Sequence, residues 1–204
     1  MESFASNKIG FHSLSLAVLA LTSLLAVRQT VAQKQNESPR IEKNAGDEVL
    51  VLPGHLNESI RAQFPGFRVP AAKDCTGLWE SGADGGNLSF AVWGDFNGDG
   101  RTDVALILLG EKECKFVIFH QIADGYAVAH VVGGKTGNTA NDWISSPQIL
   151  SLKLIPKGKT YTYSGSPKLR YTFKTDAIEF SASEQFLSLW HWKDGKYETI
   201  EFGD

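Results

Sequence analysis

From Leu78 onward the chain is cut by glycine, asparagine, aspartate and proline into short apolar runs, and this restricts its fold more than anything else in it. The runs Leu88 to Trp93, Val104 to Leu109, Cys114 to Ile122, Tyr126 to Val132, Ile149 to Ile155, Thr160 to Tyr163, Ala177 to Phe180, Phe186 to Lys193 and Lys196 to Glu201 have strand length. Their β-branched and aromatic residues suit a pleated, half-buried surface. Asp124-Gly125 and Asp194-Gly195 lie between consecutive runs and predict two-residue hairpins, because a type I′ turn needs φ > 0 at both positions. A mainly β fold follows, an antiparallel meander or sandwich. One short N-terminal helix is expected, capped by Asn57, ended by Pro65-Gly66, and turning Ile60 and Phe64 toward the sheet.

Into this pattern is set Asp95-Phe96-Asn97-Gly98-Asp99-Gly100-Arg101-Thr102-Asp103. Oxygen donors at positions one, three and five, then at nine, are what a hard cation such as Ca²⁺ asks of a loop. Gly98 and Gly100 allow the backbone to curl so that those side chains turn inward. The expected ligands are Asp95, Asn97, Asp99, the main-chain carbonyl of Arg101, and Asp103 directly or through water. An EF-hand would place a bidentate Glu at position twelve, but that position is Leu106, inside an apolar run. The segment is a calcium-type loop feeding a strand. The alternative is a metal-free Asp/Asn/Gly turn, in which the crowded carboxylates would repel one another.

The stretch from Phe90 to Ala105, and more broadly from about Trp79 to Leu109, resembles the FG-GAP (VCBS-type) repeat of integrin α-subunit propellers and of many bacterial secreted proteins. The resemblance implies Ca²⁺ held by Asp95, Asn97, Asp99, Arg101 and Asp103 between two strands, in a sheet like part of a propeller. Only one copy is present, and a propeller needs four or more blades. The resemblance therefore carries the metal loop and not the propeller.

Residues 1–32 read as an export signal: Lys8, an apolar stretch from Leu14 to Val27, and Thr30-Val31-Ala32 before Gln33. A retained membrane-spanning helix is the alternative. Residues 33–52 are expected to be a flexible leader and 53–204 a single β-rich domain. The signal region holds two of the 20 basic and one of the 23 acidic residues, so the remainder keeps a net charge of −4. That balance argues against nucleic acid and against an anionic membrane surface. Cys75 and Cys114 are the only cysteines. In an exported chain the pair is expected to form a disulfide enclosing the calcium-type loop, two buried thiols being the alternative.

His120 and His130 flank the Asp124-Gly125 turn without helical metal-ligand spacing and are expected as ordinary sheet histidines, a small cross-strand polar or metal site being the alternative. Trp190 and Trp192 share one strand face, either in the core or as an exposed aromatic strip. Gly133 to Pro147 is the long irregular segment, and long loops often carry function. The spacing assembles no nucleophile, base and orienter. The expected function is a non-enzymatic binding module in the periplasm or outside the cell, with structural Ca²⁺, a protein or glycan partner, and no membrane association after signal cleavage. The alternative is an exported hydrolase or hydrolase inhibitor using residues 133–147.

Overall fold

The apolar run that follows the loop becomes the most deeply buried strand of the molecule. The structure, a computed structural model, describes residues 38–44, 47–71, 74, 89–111, 113–133, 150–182 and 186–202, all within one unit, Ser38–Asp204. The expected signal at residues 1–32 and most of the Gly133 to Pro147 segment lie outside the described residues. Among the described residues, no helix is long and apolar enough to cross a membrane.

The described chain is mainly β and antiparallel. Strands β1 (Arg40–Asn44) and β2 (Asp47–Val51) form a hairpin, followed by α1 (Gly54–Gln63). A first four-stranded sheet contains β3 (Ala91–Gly94), β4 (Asp103–Leu109), β5 (Cys114–Ile122) and β6 (Gly125–Val132), paired in chain order as a meander. A second contains β7 (Leu150–Ile155), β10 (Ala177–Ala182), β11 (Phe186–Lys193) and β12 (Lys196–Phe202), in the order β12-β11-β10-β7. Between β7 and β10 the chain makes a small separate hairpin, β8 (Thr160–Thr162) with β9 (Arg170–Thr172).

Strand alternation explains the layering. Val104 pairs with Phe119, whose ring meets Phe64 beside the helix at 6.0 Å. Ile107 pairs with Phe116, whose ring meets Phe180 at 5.1 Å and Trp190 at 5.4 Å in the second sheet. Even-numbered residues of β4 thus face the helix and odd-numbered ones the second sheet. Every residue from Asp103 to Leu108 is buried, which is why this strand reads as a continuous apolar run. The far face of the second sheet carries Leu189 and Phe202, covered by Phe173 and by Tyr161, Tyr163 and Tyr171 of the small hairpin.

Three local expectations need correction. Residues 40–51 are a hairpin rather than a leader, because the cross-strand pair Ile41 and Leu50 packs against the core. The helix starts at Gly54, with Pro53 in the N-cap position (φ −52°), and so adds Leu56 to the face of Ile60. Asn57 lies inside the first turn, where its side-chain amide donates to the Leu52 carbonyl at 3.2 Å. Finally, Ile122 pairs with Gly125, so the β5–β6 turn is Ala123-Asp124 and Gly125 (φ +140°) opens β6. The other turn is as expected: Lys193 pairs with Lys196 across Asp194 (φ +50°) and Gly195 (φ +83°).

Candidate functional site

The loop between β3 and β4 is held by its own side chains. The Asp95 carboxylate accepts the amides of Gly98 at 2.8 Å and Gly100 at 3.1 Å. Asn97 Oδ1 accepts the Asp99 amide, and Asp99 Oδ1 the Arg101 amide, each at 2.9 Å. Gly98 (φ +81°) and Gly100 (φ +82°) take the left-handed conformation that this curl requires. Asp95, Asn97 and Asp99 therefore each brace the loop by accepting one or two of its own amides. Each oxygen that accepts one amide keeps lone pairs for a second partner.

Asp103 does something different. It is fully buried, at the start of β4 on the face toward the second sheet. One carboxylate oxygen accepts the amides of Phe96 at 3.1 Å and Asn97 at 3.3 Å, and the other the amide of Gln121 at 3.0 Å. Gln121 also accepts the Thr102 amide through its side-chain oxygen, at 3.0 Å. The first turn of the loop thus rests on Asp103, which is tied to β5. Burial pushes its carboxyl up to about 7, overcoming the amides of Gln121 and Asn97 that favour the charged form, while the Asp99 charge adds to the rise. Among the described residues, no group of three or more His, Cys, Asp or Glu side chains is arranged to hold one metal ion.

Above Asp103 the two sheets meet in an aromatic seam. His120 Nε2 lies 2.7 Å from the Tyr197 hydroxyl and 4.0 Å from Asp103. The His120 ring meets Trp192 at 5.0 Å, and the His130 ring meets Trp190 at 4.9 Å. His120 and His130 are not directly opposite each other, since their cross-strand partners are Ala127 and Ile118. Burial holds both below the usual histidine range, opposed at His120 by the charge of Asp99. Both tryptophans face the first sheet, so the strip they form is core. Tyr126, nearby in β6, has a buried hydroxyl with no hydrogen-bond partner among the described residues, and burial with the Asp103 charge raises it to about 12.

The loop is also clamped from the second sheet by Asp176, a residue that the sequence reading missed. Its carboxylate accepts the Asp95 amide and the Lys157 amide, each at 2.8 Å, and its own amide donates back to the Asp95 carbonyl at 3.1 Å. Space is tight there. A Cβ on Gly94 would fall 2.5 Å from the Asp176 carboxylate, and one on Gly98 3.0 Å from the Thr175 methyl. No local signal reveals Asp176, because its partner is 81 positions away. Cys114 is buried at the start of β5, and Cys75 lies outside the described residues. No protein-family model matches the chain, and neither the curated proteins nor the solved structures offer a significant match.

Proposed function

We propose that this protein is a non-enzymatic binding module whose β3–β4 loop takes a structural Ca²⁺. The observation that carries the reading is the arrangement of Asp95, Asn97 and Asp99, three hard oxygen donors folded over one glycine-permitted curl. With the Arg101 carbonyl they form an all-oxygen donor set, which suits Ca²⁺ and not a softer metal. Asp103 serves as the base of the loop, fixing its first turn through the amides of Phe96 and Asn97. A shell of two carboxylates, one amide and one carbonyl, completed by water, suits an affinity of about 10⁻⁴ to 10⁻³ M, the range of extracellular modules.

The ion's role in this reading is mechanical. It would neutralise Asp95 and Asp99 and stiffen a loop already joined to both sheets, through Asp103 on one side and Asp176 on the other. Export, by the N-terminal signal expected at residues 1–32, would bring the loop to compartments rich in Ca²⁺ and would let Cys75 and Cys114 pair. Calorimetric titration of the protein with CaCl₂ and separately with MgCl₂ tests the reading. One saturable calcium site that weakens in Asp99→Ala is expected. Absence of any calcium heat at millimolar concentration would refute it.

A further inference from the structure

On the face of the second sheet turned away from the first, an open groove of about 620 Å³ runs between the Tyr171–Thr175 segment and the β11–β12 hairpin. Its volume lies in the range of small-molecule sites, about 300 to 1,000 Å³. Three aromatic side chains on this face line it: Tyr171, Phe173 and His191. Phe173 and His191 lie ring against ring at 5.1 Å and 35°, and Tyr171 is nearly parallel to Phe173, at 10°. The rest of the lining is mostly polar and includes Thr172, Lys174, Thr175 and Asp194.

From this arrangement we infer that the groove binds a neutral pyranose ring of a glycan, one apolar face on the aromatic side chains and its hydroxyls toward the polar lining. A purely apolar ligand would leave the polar lining groups unpaired, which costs binding energy. A strongly charged ligand has no matching field either. Lys193 is already paired with Glu198 at 3.0 Å, and the lining holds charges of both signs, Lys174 and Asp194. A pyranose answers both demands, because its ring C–H groups contact aromatic faces while its hydroxyls donate and accept in the ring plane. His191, kept below the usual range by burial, is neutral at pH 7 and offers one donor and one acceptor nitrogen.

The inference rests on the reading of this protein as a binding module and not on the occupancy of its calcium loop. The Tyr171–Thr175 wall nevertheless runs directly into Asp176, which clamps that loop. Saturation-transfer NMR on the full chain, with cellobiose and N,N′-diacetylchitobiose as probes at about 10 mM, reads weak binding of the kind expected here. Saturation should reach protons on one face of the sugar ring. It should fall about fivefold or more in His191→Ala and in Lys174→Ala, and persist in Glu58→Gln on the helix.

No transfer to either disaccharide would overturn the inference, as would transfer to indole alone or transfer unchanged in both groove variants. Pelleting with insoluble cellulose and chitin distinguishes a polymer from a free sugar as the source of the ring. Repeating the NMR with EDTA and with CaCl₂ separates this inference from the calcium reading. Transfer in EDTA supports the groove whatever the loop does. Transfer missing in both, with calcium binding intact, overturns the groove alone.

Discussion

The two sheets have four antiparallel strands each but are buried very differently. In the first, β4 is enclosed from Asp103 to Leu108, with a helix on one side and a sheet on the other. In the second, the inner strand β11 has only Ser188 and Leu189 buried, its outer face being covered by a hairpin whose strands are three residues each. The difference follows from what covers each face rather than from strand propensity. It also divides the work of the molecule. The enclosed sheet supplies a fixed base for the β3–β4 loop through Asp103, whereas the half-covered sheet leaves a groove on its outer face.

The largest expected effect contrasts the two sheets directly. Phe116→Ala removes a ring held between Phe180 and Trp190 and should cost about 3 to 5 kcal/mol in urea unfolding. Tyr163→Ala, which loses a partly exposed stack on Phe202 at 4.3 Å, should cost less than about 2 kcal/mol. Equal losses would mean that the outer layer is as integral as the inner one.

Next comes the base of the loop. Asp103→Ala leaves the buried amide of Phe96 and the part-buried amides of Asn97 and Gln121 without their acceptor and should lower stability by about 3 kcal/mol. A smaller effect is expected at the other clamp. Asp176→Ala frees the amides of Asp95 and Lys157 at a half-buried position, where water can replace part of the loss, and should cost about 1 to 2 kcal/mol. If Asp176→Ala proved the more damaging, the loop would depend on the second sheet and the contrast would reverse.

The smallest effect concerns pH and the seam. His130 titrates below its ordinary 6.5 because burial disfavours its charged form. The unfolded chain therefore takes up protons first, and the stability contributed by neutral His130 is complete above pH 6.5 and lost as pH falls through it. His130→Gln should narrow the gap between unfolding midpoints measured at pH 7.5 and pH 5. Asp103 works in the opposite sense, since a carboxyl raised from 3.8 to about 7 weakens the fold as pH rises between those values. An unchanged gap in the variant would show that His130 is solvated rather than enclosed.

Much of this was legible along the chain, and the exceptions have physical reasons. Strands β4 and β5 stand out because their apolar residues are local and continuous, and β11 and β12 because they flank the Asp194-Gly195 turn. The β1–β2 hairpin was hidden because Ile41 stands alone among Arg40, Glu42, Lys43 and Asn44, and only its meeting with Leu50 across the hairpin makes an apolar pair. Strand β9, Arg170-Tyr171-Thr172, offers a single large apolar side chain and gains its order by pairing with β8. In the candidate site, Asp95, Asn97 and Asp99 were readable because their bonds span two to five residues. Asp176 and the groove were not, since both depend on segments joined only by folding.

The most direct test of the central claim is the thermal unfolding midpoint of the protein in EDTA and in 10 mM CaCl₂. A site with a Kd near 0.1 mM would add about 2.7 kcal/mol, a rise of roughly 5 to 11 °C for a domain of this size. That rise is expected with Ca²⁺, and no rise with Mg²⁺ or in Asp99→Ala. An identical midpoint in EDTA and in CaCl₂ would contradict the claim, leaving the β3–β4 loop as a turn sustained by its own hydrogen bonds.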